Sequence, residues 1–173
     1  MEIKPTAETV EQFTEFYNSD LKRLIWALAK AGATPTEAED FAQEAMLVLL
    51  ANWPTVRSPR AFARTVAMRV LYRGWDDRKR SLDAEQRIAS RERWLETFDA
   101  NQDVDEVLEL LDSLPAAQRE VFALHTDGFS EKEIAEITGK KETTVRSTLR
   151  HARDKVKSAL RPTTTGKEEN HGP

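Results

Sequence analysis

The sequence predicts an all-α protein made of two small helical domains joined by a flexible linker. The 173 residues include only 6 glycines and 7 prolines, against 21 alanines. Alanine has the highest helix propensity, whereas a turn-rich β fold needs more glycine and proline. Apolar residues also recur at steps of three and four, which is typical of the buried face of a helix.

The composition excludes several classes of protein. The chain contains no cysteine, which rules out disulfides, thiolate zinc sites and a cysteine nucleophile. Its longest apolar run, around Met46, is far shorter than the ~20 residues of a membrane span. The amino terminus lacks the basic and then apolar pattern of a signal peptide. We therefore expect a cytoplasmic protein without membrane insertion.

Two helices are predicted before Pro54. The first ends near Gly32. Its apolar stripe consists of Val10, Phe13, Tyr17, Leu21, Leu24 and Leu28. The second begins after Thr36, which lies three residues before Glu39 as in a capping box. Pro54 stops this second helix near Trp53.

A third helix, rich in arginine, is predicted after the loop 53–59. Ser58 and Pro59 suit the N-cap and first helical positions, and the helix could extend to about Arg80. Segment 57–80 contains eight basic and two acidic residues. Lysine and arginine gain free energy by displacing counterions from phosphates, so this block is a candidate contact for a polyanion. It could equally be a solvated helix face.

The carboxy-terminal half predicts a second helical unit, which begins near Val104 and is broken at Pro115. Segment 83–112 carries ten acidic and three basic residues, so the connector has little to bury and should be mobile. The predicted boundaries are a first domain at 8–82, an acidic linker at 83–103, a second domain at 104–160 and a disordered tail at 161–173.

Segment 128–160 has the pattern of a helix-turn-helix. Ser130 caps the first helix, Ala135 is small where the helices cross, and Gly139 allows the positive φ of a tight turn. Val145 and Leu149 anchor the second helix from inside. The residues left facing outward are Thr143, Thr144, Arg146, Ser147, Arg150, His151 and Asp154. Such a helix can enter the major groove, although an ordinary helical hairpin has a similar pattern.

The two halves together resemble one family. LDSLPAAQREVFAL at 111–124 and the segment 128–160 resemble region 4 of a bacterial RNA polymerase sigma factor. EAEDFAQEA at 37–45, followed by SPRAF at 58–62, resembles sigma region 2. Both regions in this order in a short chain are similar to the extracytoplasmic-function (group IV) sigma factors. The resemblance implies an alternative sigma factor that directs promoter-specific transcription and is not an enzyme by itself.

The resemblance also implies partners for the charged surfaces. Core RNA polymerase would be bound through its β′ clamp helices by region 2 and through its β flap by region 4. The residues implied in docking on the clamp helices are Asp40, Gln43, Glu44 and Met46. Those implied at the −10 element of promoter DNA are Trp53, Arg57, Arg60, Arg64, Arg69, Arg73 and Trp75. Those implied in reading the −35 element are Lys141, Thr144, Arg146, Ser147, Arg150 and His151.

Some of these residues allow other interpretations. Trp75 could stack on a base or close the hydrophobic core. Arg69 stands where the family commonly has asparagine, and Arg150 replaces a residue that is often bulky or apolar. The preferred promoter sequence therefore stays open.

A stand-alone helix-turn-helix regulator is the alternative function. It would bind a duplex operator without polymerase, usually as a dimer. An enzyme is disfavoured, because the three histidines lie far apart and no HExxH, phosphate-loop or GxSxG pattern occurs. The sequence indicates no catalytic residue, metal or cofactor. The resemblance also makes an anti-sigma factor a candidate partner, since many relatives are held by one.

Overall fold

Helices account for nearly all of the chain that the structure describes. The computed structural model describes residues 6–73, 84–97 and 102–160. The helices in these ranges are α1 (Ala7–Ala31), α2 (Pro35–Asn52), α3 (Pro59–Arg73), α4 (Ala84–Thr97), α5 (Gln102–Asp112), α6 (Ala116–Thr126), α7 (Glu131–Thr138) and α8 (Glu142–Ala159), with a 3₁₀ turn at Trp53–Thr55. Because the described residues contain no strand, the all-α prediction is confirmed.

The start of α2 differs from its prediction by two residues. Its capping box is formed by Thr34 and Glu37, whereas the sequence analysis placed it at Thr36 and Glu39. Pro35 explains the shift. Proline favours the first helical position and forces the residue before it into the extended conformation that an N-cap adopts.

Alanine-rich faces let the first three helices pack closely. α1 ends, as predicted, at Gly32, whose φ of 107° is left-handed. Leu28, Leu49 and Leu71 are fully buried and fill the space between the three helices. The fully buried alanines of these three helices are Ala27, Ala31, Ala38, Ala42, Ala45, Ala63 and Ala67. Since alanine loses no side-chain entropy on folding, these close contacts cost little.

The two halves of the chain share one hydrophobic core. Val121 and Leu124 of α6, together with Phe129 and Ile134, belong to the same buried cluster as Leu24 of α1. α1 packs against α6, and α3 packs against α7. The sequence analysis predicted two domains but did not predict this contact between them.

Part of the acidic connector is buried, although its charge predicted a linker with little to bury. α4 packs against α2 and α5, and Trp94 is only 4% exposed. The Trp94 indole nitrogen donates a hydrogen bond of 3.3 Å to the carbonyl of Ala33, which ties α4 to the first half. The predicted boundary at 82–83, any extension of α3 beyond Arg73 and the tail 161–173 lie outside the described residues. The mobility of the linker stays a prediction.

We expect Trp94→Ala to lower the free energy of unfolding by about 3–5 kcal/mol, because it empties a buried aromatic site and removes the donor to Ala33. Urea unfolding followed by circular dichroism measures the change. Glu92→Ala, at an exposed position of the same helix, is the matched control and should have an effect within about 0.5 kcal/mol. Equal effects of the two variants would contradict the packing of Trp94.

Candidate nucleic-acid interface

α7 and α8 form the predicted helix-turn-helix. The Ser130 hydroxyl accepts a hydrogen bond of 3.3 Å from the backbone nitrogen of Glu133. In return, the Glu133 carboxylate accepts one of 2.8 Å from the backbone nitrogen of Ser130. The bonds that the Glu133 carboxylate accepts from the backbone nitrogen and the hydroxyl of Ser130 lower the pKa of Glu133, so the capping box stays intact at neutral pH. Gly139 then turns the chain with a φ of 68°, a conformation that strains other residues.

The two faces of α8 have opposite character, as predicted. Val145, Leu149 and Ala152 are buried and hold α8 against α6 and α7. The exposed residues on the other side include the N-cap Lys141 and, within α8, Thr143, Thr144, Arg146, Ser147, Arg150, His151 and Asp154. All six residues predicted to read the −35 element lie in this exposed set. An exposed polar face on a helix fixed from its opposite side is suited to entering a DNA groove.

Arg146 is held by acidic neighbours. Its guanidinium donates hydrogen bonds to Glu131 at 3.0 Å and to Glu142 at 2.9 Å, although the side chain is 61% exposed. The bond with Glu131 raises the pKa of Arg146, and a guanidinium is charged at physiological pH with or without this effect. Because solvent-exposed ion pairs contribute little net free energy, acceptors on another molecule can replace these two carboxylates.

The five arginines predicted at the −10 element divide into two groups. The exposed residues are Arg57, Arg69 and Arg73. Arg64 is fully buried, which corrects the prediction that its guanidinium group is presented to DNA. Arg60 is half-buried and also bonds within the protein, and its contact with DNA stays a prediction. The predicted aromatic partner Trp75 lies outside the described residues.

Arg64 is a buried ion-pair residue in this structure. It is fully buried, and its two terminal nitrogens both bond to the Asp20 carboxylate, one of them at 3.2 Å. Its Nε donates to the Asp127 carboxylate at 2.8 Å. Arg64 precedes Ala67 and Met68, which are also buried, by three and four residues. It therefore lies on the core-facing side of α3.

Arg60 lies against the loop 127–129, which leads into the helix-turn-helix. Its Nη2 donates to the Asp127 carboxylate at 2.9 Å and also to the Asp127 carbonyl. The guanidinium carbon lies 4.7 Å from the ring centre of Phe129, which is a cation–π contact. The Arg60 side chain is nevertheless 31% exposed. Arg60 and Arg64 thus join α3 to the second half of the chain.

The loop 53–59 is anchored by its own aromatic residue. Trp53 is half-buried. Its ring centre lies 5.4 Å from that of Phe13 in an edge-to-face arrangement, and 5.6 Å from that of Phe16. These contacts stabilise the 3₁₀ turn against α1. The Trp53 ring therefore packs against α1 and fixes the conformation of the loop, and it is not a free stacking surface for a base.

The predicted docking face on α2 is exposed, but its apolar residue is a different one. Asp40, Gln43 and Glu44 are exposed. Met46 is 1% exposed and belongs to the core, which corrects its predicted contact with a partner. Leu47 is 67% exposed and lies four and three residues after Gln43 and Glu44, on the same side of the helix. We call Asp40, Gln43, Glu44 and Leu47 the α2 docking face.

Sequence analysis missed four buried charged residues where the two halves meet, of which Glu120 lines the cleft described below. Asp20 is 4%, Lys30 8% and Asp127 7% exposed. The Lys30 ammonium donates to the Thr126 hydroxyl at 2.7 Å. Burial lowers the pKa of Lys30, whereas Asp127 acts in the opposite direction. The burial of Asp20 could have been predicted from its position four residues before Leu24, on the apolar stripe of α1.

A cleft of about 650 Å³ lies between α3 and the pair α6 and α7. Arg69 and Tyr72 line one wall, and Glu120 and Lys140 line the other. Glu120 is 4% exposed and forms an ion pair with Lys140. Burial raises the pKa of Glu120, and the bond from Lys140 acts against this increase. The second-half wall of the cleft therefore carries an ion pair of its own.

The part of the chain that the structure describes contains neither a metal-binding cluster nor a membrane-spanning helix. No group of three or more histidine, aspartate or glutamate side chains could hold a metal ion there. None of the described helices has the length and apolar character needed to cross a membrane.

Comparison with known protein families identifies two regions. The model for Sigma-70 region 2 matches residues 16–81, and the model for Sigma-70 region 4 matches residues 105–156. Together the two regions cover more than half of the chain. A comparison with curated proteins found no match.

Two solved structures have a similar fold. The sigma factor RpoE, in complex with the anti-sigma factor NepR from Bartonella quintana, aligns with a TM-score of 0.65 and 20% identity over 87% of this chain and 97% of that chain. CnrH, in complex with the cytosolic domain of CnrY, aligns with a TM-score of 0.59 and 21% identity over 86% of each chain. Because regions 2 and 4 both match, and in this order, the chain belongs to the sigma-70 family and is a sigma factor of the extracytoplasmic-function type.

Proposed function

We propose that this protein is an alternative sigma factor that binds core RNA polymerase in the cytoplasm and directs it to specific promoters. The observation that carries the proposal is the presence of both sigma-70 regions on one chain, with the outer face of α8 exposed. A sigma factor supplies recognition and leaves bond formation to the core enzyme. We therefore propose no enzymatic activity and no cofactor for this chain.

α8 would read the −35 element. A helix in the major groove presents its N-terminal half to the base edges. The residues proposed for this contact are Lys141, Thr144, Arg146, Ser147, Arg150 and His151. Arginine can bond to O6 and N7 of guanine, and serine or threonine can bond to bases or phosphates. Arg146 would exchange Glu131 and Glu142 for such an acceptor.

Region 2 would contact the −10 element with a smaller set of residues than predicted. The arginines proposed to neutralise phosphates are Arg57, Arg69 and Arg73. Trp53 would shape the loop that receives a base, and Trp75 would supply a stacking surface. Arg60 would join this set on leaving Asp127, whereas Arg64 would stay with Asp20 in the same half.

Two protein partners are proposed. The α2 docking face would bind the β′ clamp helices, with its acidic groups steering the encounter and Leu47 supplying apolar contact, and region 4 would contact the β flap. An anti-sigma factor is proposed from the neighbours, because RpoE was solved with NepR and CnrH with a domain of CnrY. Both structures align over most of this chain.

Asp40→Lys combined with Glu44→Lys should abolish binding to core polymerase, because it reverses the charge of the α2 docking face. Both positions are exposed, so the helical circular dichroism should not change. Co-purification with tagged core enzyme measures binding. Glu11→Lys combined with Glu15→Lys makes the same change at the same spacing on α1 and should retain binding. Undiminished binding by the first variant contradicts the assignment.

Leu47→Asn should weaken core binding about tenfold or more, because a leucine buried at an interface contributes about 1.5–3 kcal/mol. The free energy of unfolding should change by less than about 0.5 kcal/mol, since Leu47 is exposed in the free protein. A titration of labelled protein with core enzyme measures the affinity. Val10→Asn, at an exposed apolar position on α1, is the control. The same affinity for both variants would exclude Leu47 from the contact.

Arg146→Ala should reduce transcription from the cognate −35 sequence by the equivalent of about 1–3 kcal/mol, and should have less effect on a mutated −35 sequence. The reason is that a lost base contact matters only where the matching base is present. Transcription by reconstituted holoenzyme on the two templates measures the difference, after selection of the cognate sequence from a random library.

Lys155→Ala combined with Lys157→Ala is the control for Arg146→Ala. Both lysines are exposed and lie farther along α8, where the DNA backbone is in reach. Their loss should weaken binding to all sequences alike and flatten the salt dependence, because phosphate contacts release counterions without reading bases. Equal losses on both templates for Arg146→Ala would mean that the reading face of α8 is misassigned.

The alternative function, a stand-alone helix-turn-helix regulator, makes a different prediction. Such a regulator binds its duplex site without polymerase, usually as a dimer on a two-fold site. Specific duplex binding by the free protein, together with no co-purification with core enzyme, would favour it over a sigma factor.

A further inference from the structure

Five charged side chains meet where the two halves of the chain touch. We call them the junction cluster: Asp20 and Lys30 of α1, Arg60 and Arg64 of α3, and Asp127 of the loop 127–129. All except Arg60 are less than 9% exposed. Asp127 is the member of the cluster that comes from the second half. The cluster is therefore complete only while the two halves are in contact.

Asp127 supplies half of the negative charge in the junction cluster. It accepts hydrogen bonds from Arg64 at 2.8 Å and from Arg60 at 2.9 Å. Asp20 also faces both arginines, with an Arg60 Nε distance of 3.8 Å. When Asp127 leaves, Arg60 and Arg64 share the carboxylate of Asp20. Lys30 and Arg23, which lies 3.9 Å from Asp127, lose a neighbouring carboxylate, so positive charge is in excess. Because charges near a protein surface or interior interact more strongly than in bulk water, this excess favours the arrival of another anion.

Arg60 is enclosed by consecutive residues of the loop 127–129. Asp127 offers its carboxylate and its carbonyl, and Phe129 offers the face of its ring. Gly128 lies between them with a φ of 97°, and a Cβ added there would lie 3.9 Å from the Arg60 guanidinium nitrogens. The loop therefore follows the outline of the guanidinium group.

We propose that the loop 127–129 is an internal competitor of nucleic-acid phosphate, in which Asp127 occupies Arg60 and keeps the two halves of the free protein closed. The proposal rests on the proposed function, since it assigns Arg60 to the −10 surface. A guanidinium accepts a carboxylate or a phosphate as partner in the same forked geometry. Arg64 keeps Asp20 within the first half, so Arg60 is the cation that changes partner.

The release of Asp127 has a second consequence, because its loop leads directly into α7. Lys30 bonds to Thr126 at 2.7 Å just before the same loop, and this bond also connects the two halves. Separation therefore breaks both contacts and frees α6 from α1 and α7 from α3, and α8 moves with them. The exposure of Arg60 and the freedom of α8 are coupled in this way.

The distance between the two halves is measured by fluorescence energy transfer. The chain has no cysteine, so Asn18→Cys on α1 and Ser158→Cys on α8, both exposed positions, provide two defined labelling sites. Asp127→Asn should shift the closed-to-open ratio toward open on the order of tenfold or more, since it removes one partner of buried charges. Glu109→Gln removes one exposed carboxylate from the same half and should leave transfer unchanged.

Binding to DNA without core enzyme is measured with a labelled single-stranded oligonucleotide of mixed sequence. Asp127→Asn should bind it on the order of tenfold more tightly than the unmodified chain, because the arginines it releases are then free for phosphate. Glu109→Gln changes the net charge equally and should show at most a small increase. This comparison separates the release of Arg60 from a general effect of charge.

Thr126→Val is the second variant. The valine side chain has nearly the same size as that of threonine. It removes the acceptor of Lys30 without changing charge, so it should open the halves and tighten DNA binding in the same direction, even where Asp127→Asn fails to fold. Unchanged transfer in both folded variants, or opening without tighter DNA binding, overturns the proposal. Transcription by the unmodified chain with core polymerase is measured separately, and its absence would count against the proposed function alone.

Discussion

The pairing of Asp127 with Arg60 and Arg64 is the interaction on which the relation between the two halves of the molecule depends. Buried ion pairs often add little stability, because removing the charges from water costs about as much as their attraction returns. Apolar contacts between α1 and α6 can hold the halves together without defining one arrangement. The ion pairs fix the orientation of one half relative to the other, since a guanidinium and a carboxylate must meet in a fixed geometry. They also make the contact open to competition by another anion.

In α8 and α2, one side of the helix is buried in the core and the opposite side is exposed to solvent. α8 buries Val145 and Leu149 and exposes its polar residues, while α2 buries Met46 and exposes Leu47. Rows of fully buried alanine allow the first three helices to approach closely, so few large side chains are needed inside. Long polar side chains can then occupy the outer faces. The fold thus leaves a large share of its helical surface available for partners.

The features that could be predicted from the sequence are those set by residues close together along the chain, such as helix ends and buried helix faces. Ser130 and Gly139 define the ends of α7, and Val145 and Leu149 define the inner face of α8, through contacts only a few residues apart along the chain. The partners of Arg60 and Arg64 could not be predicted in this way. They pair with Asp127, which lies 67 and 63 residues away, and such a choice is made only when the helices pack. The start of α2 was misplaced because two threonines offered the same capping chemistry and only Pro35 distinguished them.

A block of basic residues is therefore a poor measure of a DNA-binding surface until its internal partners are known. Arg64 is neutralised by Asp20 and Asp127, Arg60 by Asp127, and Arg146 by Glu131 and Glu142. The whole chain carries a net charge of −4, which disfavours indiscriminate attraction to nucleic acid. On the proposed function, both effects reduce contact between the free protein and DNA. Contact is then favoured where another partner separates the halves and places the exposed arginines beside the promoter.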